Sequence, residues 1–292
     1  MGVHMTKHPK KSSVHRSWFD TLLASKNPVT WGELYRKAGG LKLTKFEDNC
    51  LENELASRIV LKLFDEGRLC FSKDEEQSRR KSGFFVQSHH GQGGGPTGLP
   101  GERQMVLAMF NMLKIENLGE ILDYEIPLQS PRPKSTRKED WTEHKHGKID
   151  LLAKDSKGER VFLIEAKDPD SKECGLRVLL EINTYLKNLA PVLDQFRREL
   201  SSNQAWSLTG NEELCPVMMT FKGTHADREL LNPGENFAAL IKIINNQLAK
   251  CGYGRLVHLR MNPFEDGVLV RKDDRWCFAG DWDPAVSVIA FS

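Results

Sequence analysis

The sequence has no apolar run near the roughly 18 residues that a membrane-crossing helix requires, so no membrane partner is expected. The stretch 1–16 is basic and rich in Ser and His. It carries no apolar segment of the kind found in a secretory leader, and it reads as a flexible tail on a cytoplasmic protein. Six cysteines stand at positions 50, 70, 174, 215, 251 and 277. None forms a Cys-x-x-Cys pair or lies at finger spacing from a histidine. Zinc fingers and a disulfide framework are therefore not expected, and reduced, mostly buried thiols are. The net charge is only +2, so any contact with nucleic acid has to come from local patches. The candidate patches are Lys7, Lys10, Lys11 and Arg16; Arg79, Arg80 and Lys81; and Arg132, Lys134, Arg137 and Lys138. Each alone reads first as solvated surface. No Gly-x-x-x-x-Gly-Lys-[Ser/Thr] loop is present, so energy-coupled activity would need a partner chain. There is no internal repeat.

What is present divides at a glycine-rich stretch. Residues 87–101 hold too little apolar surface to pack and too much glycine to stay stiff, which marks a linker. It separates a unit at 17–86 from one at 102–292. In the first, Trp18, Phe19, Leu22 and Leu23 have helical spacing. Thr30 to Glu33 and Thr44 to Glu47 each fit a capping box. Ile59, Val60, Leu63 and Phe64 form one helix face, with Gly67 as its C-cap. Leu69–Cys70–Phe71 and Phe84–Phe85–Val86 then read as two short strands joined by a basic loop. Helices followed by such a hairpin have the outline of a winged helix, with DNA binding and protein packing equally open as its role.

The second unit alternates. A helix is expected over 102–115 on the stripe Met105, Val106, Met109, Met112 and Leu113. Strands are expected at 120–128, 149–153, 160–167, 216–221 and 255–259. Helices are expected from 176 to 200, bent or restarted at Pro191, and at 237–249. The class is α/β, a mixed sheet flanked by helices.

The chemistry concentrates between Gly147 and Lys167. Two apolar runs flank Asp155-Ser156-Lys157-Gly158, which is hairpin punctuation. With Lys157 and Gly158 as the central turn residues, Ser156 faces Glu159 and Asp150 falls opposite Glu165. Opposed residues share a face of the sheet. Lys167, two residues beyond Glu165, shares it too. A one-residue slip would turn Asp150 away. Val161-Phe162-Leu163-Ile164 is apolar on both faces, as a central strand is. Charges at the end of such a strand are costly unless paired or bound to an ion. Two carboxylates repel, and a hard divalent cation with oxygen ligands resolves the conflict. The Ala166 carbonyl is a further ligand candidate. Lys167 is placed to orient or deprotonate a water, or to stabilise charge on phosphate oxygens.

This segment resembles the PD-(D/E)xK nucleases, whose core is restriction-endonuclease-like. Asp150 within Gly147-Lys148-Ile149-Asp150 matches the first motif, with Ile149 where the family often has Pro. Glu165-Ala166-Lys167 matches the second. The resemblance covers roughly 100–200. It implies a metal-dependent nuclease using Mg²⁺, with Mn²⁺ as a substitute. Asp150, Glu165 and Lys167 would be its catalytic residues, and Glu102 on the upstream helix a further metal ligand. DNA is the implied substrate. Alternatives are an RNA-directed nuclease or an inactive nuclease fold serving as a binding module, and a second copy or partner subunit is compatible with each.

Blander readings stand beside these. Asp150, Glu165 and Lys167 could be a surface salt-bridge cluster on an edge hairpin. Glu102 could simply favour the positive end of its helix. His144 and His146 read as solvated loop residues, His89 and His90 as linker, and Glu181 and Tyr185 as helix surface rather than cleft lining.

Overall fold

The computed structural model describes residues 19–22, 24–38, 46–71, 73–85, 101–128, 147–265, 268–280 and 282–291. The basic tail, Thr44, Val86, the linker up to residue 100, and the stretch holding Arg132, Lys134, Arg137, Lys138, His144 and His146 lie outside them.

The architecture is mixed α/β, built on a seven-stranded sheet. Its strands are β3 (Lys114–Ile115), β4 (Gly119–Pro127), β5 (Lys148–Lys154), β6 (Arg160–Ala166), β7 (Glu213–Phe221), β8 (Val257–Met261) and β11 (Ser287–Ala290). They lie in the order β11-β8-β7-β6-β5-β4-β3, with β6 at the centre. The β6–β7 and β7–β8 pairs are parallel and the others antiparallel. Parallel neighbours need crossovers. These are supplied by α5 (Gly175–Leu189) and α6 (Leu193–Ser202), then by α7 (His225–Leu231) and α8 (Glu235–Lys250). Pro191 lies in a short 3-10 turn, Ala190–Val192, between α5 and α6, the restart that its missing N–H dictates. β9 (Leu269–Lys272) and β10 (Arg275–Phe278) form a separate hairpin.

Strand alternation sends Val161 and Leu163 to one face and Phe162 and Ile164 to the other. The first face packs with Leu179, Ile182 and Leu186 of α5 and Ile241 of α8. The second packs with Met105, Val106 and Met109 of α4 (Gly101–Met112). Full burial of one such side chain stabilises by about 1.5–3 kcal/mol, so the centre of the sheet is also its most strongly held part. The α4 stripe stops short of the expected length. Leu113 has a left-handed backbone (φ 62) and is 64% exposed, because the chain leaves the helix there to enter β3.

The N-terminal elements are β1 (Val29–Thr30), α1 (Trp31–Ala38), α2 (Phe46–Asp65), β2 (Leu69–Cys70) and α3 (Lys73–Ser78). The Thr30 hydroxyl caps α1 by accepting from the Glu33 amide at 3.1 Å. Gly67 (φ 62) ends α2, with its amide on Phe64 and the Arg68 amide on Leu63, a Schellman closure. The winged hairpin is not what forms. β2 pairs in parallel with β1, α3 occupies the basic loop, and Phe84 and Phe85 are not in a strand. Both rings pack edge-on or tilted against Phe196 instead, and Phe85 also edge-on against Trp206. The amides of Gly83 and Phe84 donate to the Glu199 carboxylate at 2.8 Å. Trp31, Leu34, Val60 and Leu63 join the same apolar core as α5 and α8. Glu54 of α2 accepts from the Asn236 and Phe237 amides at the start of α8. No helix among the described residues is long and apolar enough to cross a membrane.

Candidate metal centre

The site begins with the β5–β6 hairpin. Its ladder pairs Lys154 with Val161 and Leu151 with Ile164, the register that sets Asp150 opposite Glu165. The turn that produces it is wider than the two-residue form expected. The Asp155 amide donates to the Arg160 carbonyl at 3.0 Å, and the Gly158 amide to the Asp155 carbonyl at 3.0 Å. The loop therefore spans 156–159, with Gly158 at φ 70, a conformation that favours glycine. The Asp155 carboxylate ties the loop by accepting from the Glu159 amide at 2.9 Å and from Arg160 Nε at 3.0 Å. Adding two residues symmetrically preserves the register, so every side chain keeps its face.

At the far end the strands part. The ladder pairing ends at Leu151–Ile164, and the Ala166 amide donates to Asp150 Oδ2 at 2.9 Å. A carboxylate thus takes the place of a ladder carbonyl, which fixes Asp150 at the mouth of the hairpin. Glu165 on β6 and Glu102 in the first turn of α4 complete the group. One ligand oxygen from each of Glu102, Asp150 and Glu165 lies within 4.8 Å of the others. Oxygens around an octahedral Mg²⁺ at about 2.1 Å are separated by about 3–4.2 Å, a spacing that three oxygens within 4.8 Å of one another could match. Glu165 Oε2 is buried and has no hydrogen-bond partner among the described residues. Hard oxygen donors with one orphaned acceptor fit a divalent cation of the Mg²⁺ type.

Lys167 stands behind this group and is itself buried. Its Nζ lies 2.7 Å from Glu165 Oε1 and 2.9 Å from Glu181 Oε2, with Glu102 and Glu173 each at 3.6 Å. Asp150, Glu165, Lys167 and Glu102 therefore lie together in the fold.

Glu181 and Tyr185 belong here too, against the reading of them as helix surface. In α5 every residue except Arg177 and Lys187 is buried, so the helix has almost no solvent face. Tyr185 Oη donates to Glu181 Oε1 at 2.9 Å, and the Tyr35 hydroxyl of α1 donates to the same oxygen. Arg177 Nη2 donates to Tyr35 Oη at 2.9 Å, and its guanidinium lies 4.3 Å over the Tyr35 ring. Arg177 Nε donates to Glu173 Oε1 at 2.6 Å. Tyr35, Arg177 and Glu173 carry no such signal in the sequence. Glu181 has one: a lone acid in a helix apolar on most of its circumference needs a buried partner.

The electrostatics divide. Burial pushes the Asp150 carboxyl up to about 6, against the Lys167 charge and the Ala166 amide. Burial, then the Asp150 and Glu181 charges, hold Glu165 well above the carboxylate range. Glu102 is also raised, by desolvation and by Asp150. Glu181 is buried as well, yet the Lys167 and Arg177 charges and the hydrogen bonds from Lys167 and Tyr35 bring it down to about 2. Burial works against the Lys167 ammonium, but Glu165, Glu181, Glu102 and Glu173 outweigh it and hold Lys167 protonated.

No family model, curated protein or solved structure matches the chain. The site is a cluster of hard oxygen donors short of positive charge, beside an enclosed ammonium.

Proposed function

We propose that the chain is a metal-dependent nuclease that hydrolyses phosphodiester bonds, with DNA as substrate. The observation that carries this reading is the convergence of Glu102, Asp150 and Glu165 within 4.8 Å, with the Lys167 ammonium on one oxygen of Glu165 and the other oxygen left without a hydrogen bond. Asp150 and Glu165, with Glu102 and the Ala166 carbonyl, would hold Mg²⁺ or Mn²⁺. A cation there would polarise a phosphoryl oxygen and acidify a bound water. Lys167, kept charged by its glutamates, serves as a donor that orients the attacking water and stabilises charge on phosphate oxygens, rather than as a base. Arg103 and Lys148, both largely exposed and joined through Glu125 at 2.8 and 3.3 Å, flank Glu102 and Asp150 in the chain and suit contact with a phosphate backbone. The resemblance to PD-(D/E)xK nucleases points the same way.

The test is incubation of the full chain with linear DNA, circular DNA and RNA, each with Mg²⁺, Mn²⁺ or chelator. Asp150→Ala and Lys167→Ala variants run in parallel. Metal-dependent cutting of DNA that both variants abolish supports the proposal. Cutting retained by both removes the site assignment. Cutting confined to RNA moves the substrate, and binding without cutting in either metal makes the chain a binding module.

A further inference from the structure

We infer that Tyr35, from the N-terminal helix α1, is a positioning residue of this site and acts on Lys167 through Glu181. The inference rests on the nuclease reading and assigns part of that site to the N-terminal elements.

Five side chains form a closed ring. Lys167 Nζ meets Glu181 Oε2 at 2.9 Å. Glu181 Oε1 accepts from the Tyr35 hydroxyl. Tyr35 Oη accepts from Arg177 Nη2 at 2.9 Å. Arg177 Nε bonds Glu173 Oε1 at 2.6 Å, and Glu173 Oε2 returns to Lys167 Nζ at 3.6 Å. The two Glu181 oxygens therefore have separate tasks: one takes the tyrosines, the other takes the ammonium. A glutamate carboxylate rotates freely about its last bond unless an oxygen is fixed, and fixing Oε1 aims Oε2. Tyr35 is itself immobilised. It is buried, its ring carries the Arg177 guanidinium, and its backbone carbonyl accepts from Arg177 Nη1 at 3.3 Å. Of the five, only Tyr35 comes from outside the segment 102–292. The N-terminal helices complete the site rather than hang from it, consistent with α1 burying Trp31 and Leu34 in the core of α5.

Tyr35→Phe keeps the ring and removes only the hydroxyl. Full-length Tyr35→Phe, Glu181→Gln and the double variant are compared. For Tyr35→Phe the expected result is a fall in kcat of about tenfold, the worth of one misdirected catalytic contact, with KM and Mg²⁺ affinity unchanged. The double variant is expected to be no slower than Glu181→Gln alone. The ¹⁵N-edited signal of the Lys167 ammonium, assigned by its loss in Lys167→Arg, should shift in Tyr35→Phe. Arg177→Gln, which loosens Tyr35 from the other side, should shift the same signal less. An unchanged ammonium signal in both variants overturns the inference, as do losses that multiply in the double variant. If the wild-type chain cuts no nucleic acid, the nuclease reading fails. The ammonium signal alone then decides whether Tyr35 positions Lys167.

Discussion

Lys167 has two flanks, and they treat the same kind of side chain in opposite ways. Toward the strand ends stand Glu102, Asp150 and Glu165, all raised above the usual carboxylate range. Toward α5 stands Glu181, as buried as Glu165 and at a similar distance from the ammonium, yet lowered to about 2. Burial does not distinguish Glu165 from Glu181; their partners do. Glu181 has two tyrosine hydroxyls and two cations within reach. Glu165 shares one ammonium with its neighbours and keeps an oxygen with neither a hydrogen bond nor an ion pair among the described residues, whereas Glu181 Oε2 has the Lys167 ammonium at 2.9 Å. The saturated flank behaves as scaffold, and the unsaturated flank is where positive charge is missing.

Removing the shared partner breaks both flanks at once and should have the largest effect. Lys167→Ala leaves buried carboxylates on either side without their ammonium. Stability should fall by about 3–5 kcal/mol, as for other broken buried ion pairs, measured by urea unfolding. On the nuclease reading, the cleavage rate should also fall by roughly 10²–10⁴-fold, measured in single turnovers.

The flanks should separate by pH. A carboxyl raised in the fold contributes stability that is complete below its unfolded pKa and lost as pH rises through its folded one. For Asp150, moved from 3.8 to about 6, this amounts to a loss on the order of 2–3 kcal/mol between pH 4 and 7. Glu165 and Glu102 act in the same direction. Glu181 has the opposite sign: its contribution is complete above about 4.5 and is lost as pH falls toward 2. Thermal denaturation without divalent ions should show a Tm lower at pH 8 than at pH 5, by about 5 °C. Saturating Mg²⁺ should erase that decline and leave the acid-side loss unchanged. A decline that Mg²⁺ does not touch would mean that the three-carboxylate flank is not where the cation sits.

Within the unsaturated flank a smaller contrast follows from exposure. The Glu102 side chain is 37% exposed, against 3% for Glu165. Glu102→Gln should therefore weaken Mg²⁺ binding by only about tenfold, comparable to the loss of an outer partner, whereas Asp150→Asn should weaken it more. Calorimetry on the two variants orders them, and equal losses would make Glu102 a full ligand.

The unsaturated flank was legible in the sequence, and the saturated one largely was not. Strand period and hairpin register act over a few residues, so Asp150, Glu165 and Lys167 could be placed on one face although the turn is two residues wider than expected. Glu102 was reachable because a helix must begin after the glycine-rich stretch. Glu181 reads as surface only on a helix with a solvent face, and α5 has almost none, being enclosed by the sheet on one side and α1, α2 and α8 on others. Tyr35 was out of reach, since it meets Glu181 across 146 positions of chain and no local period encodes that contact. The winged hairpin failed for a related reason: Phe84 and Phe85 find aromatic partners on Phe196 and Trp206 that short-range strand propensity does not register.

The two tyrosines on Glu181 give the finest comparison and the smallest effect. Tyr185 lies one turn beyond Glu181 on the same helix and bonds the same Oε1 at 2.9 Å. Helix geometry alone brings positions i and i+4 together, so the Tyr185 ring stays in place whether or not its hydroxyl bonds. Tyr35 reaches Glu181 from another element, so its bond also reports how α1 is seated. Tyr185→Phe should cost about 1 kcal/mol of stability, the net worth of one hydrogen bond, and slow cleavage less than Tyr35→Phe does. Equal effects on rate would mean that Glu181 is held by the sum of its hydrogen bonds. A larger effect from Tyr35→Phe would mean that its direction is set by α1.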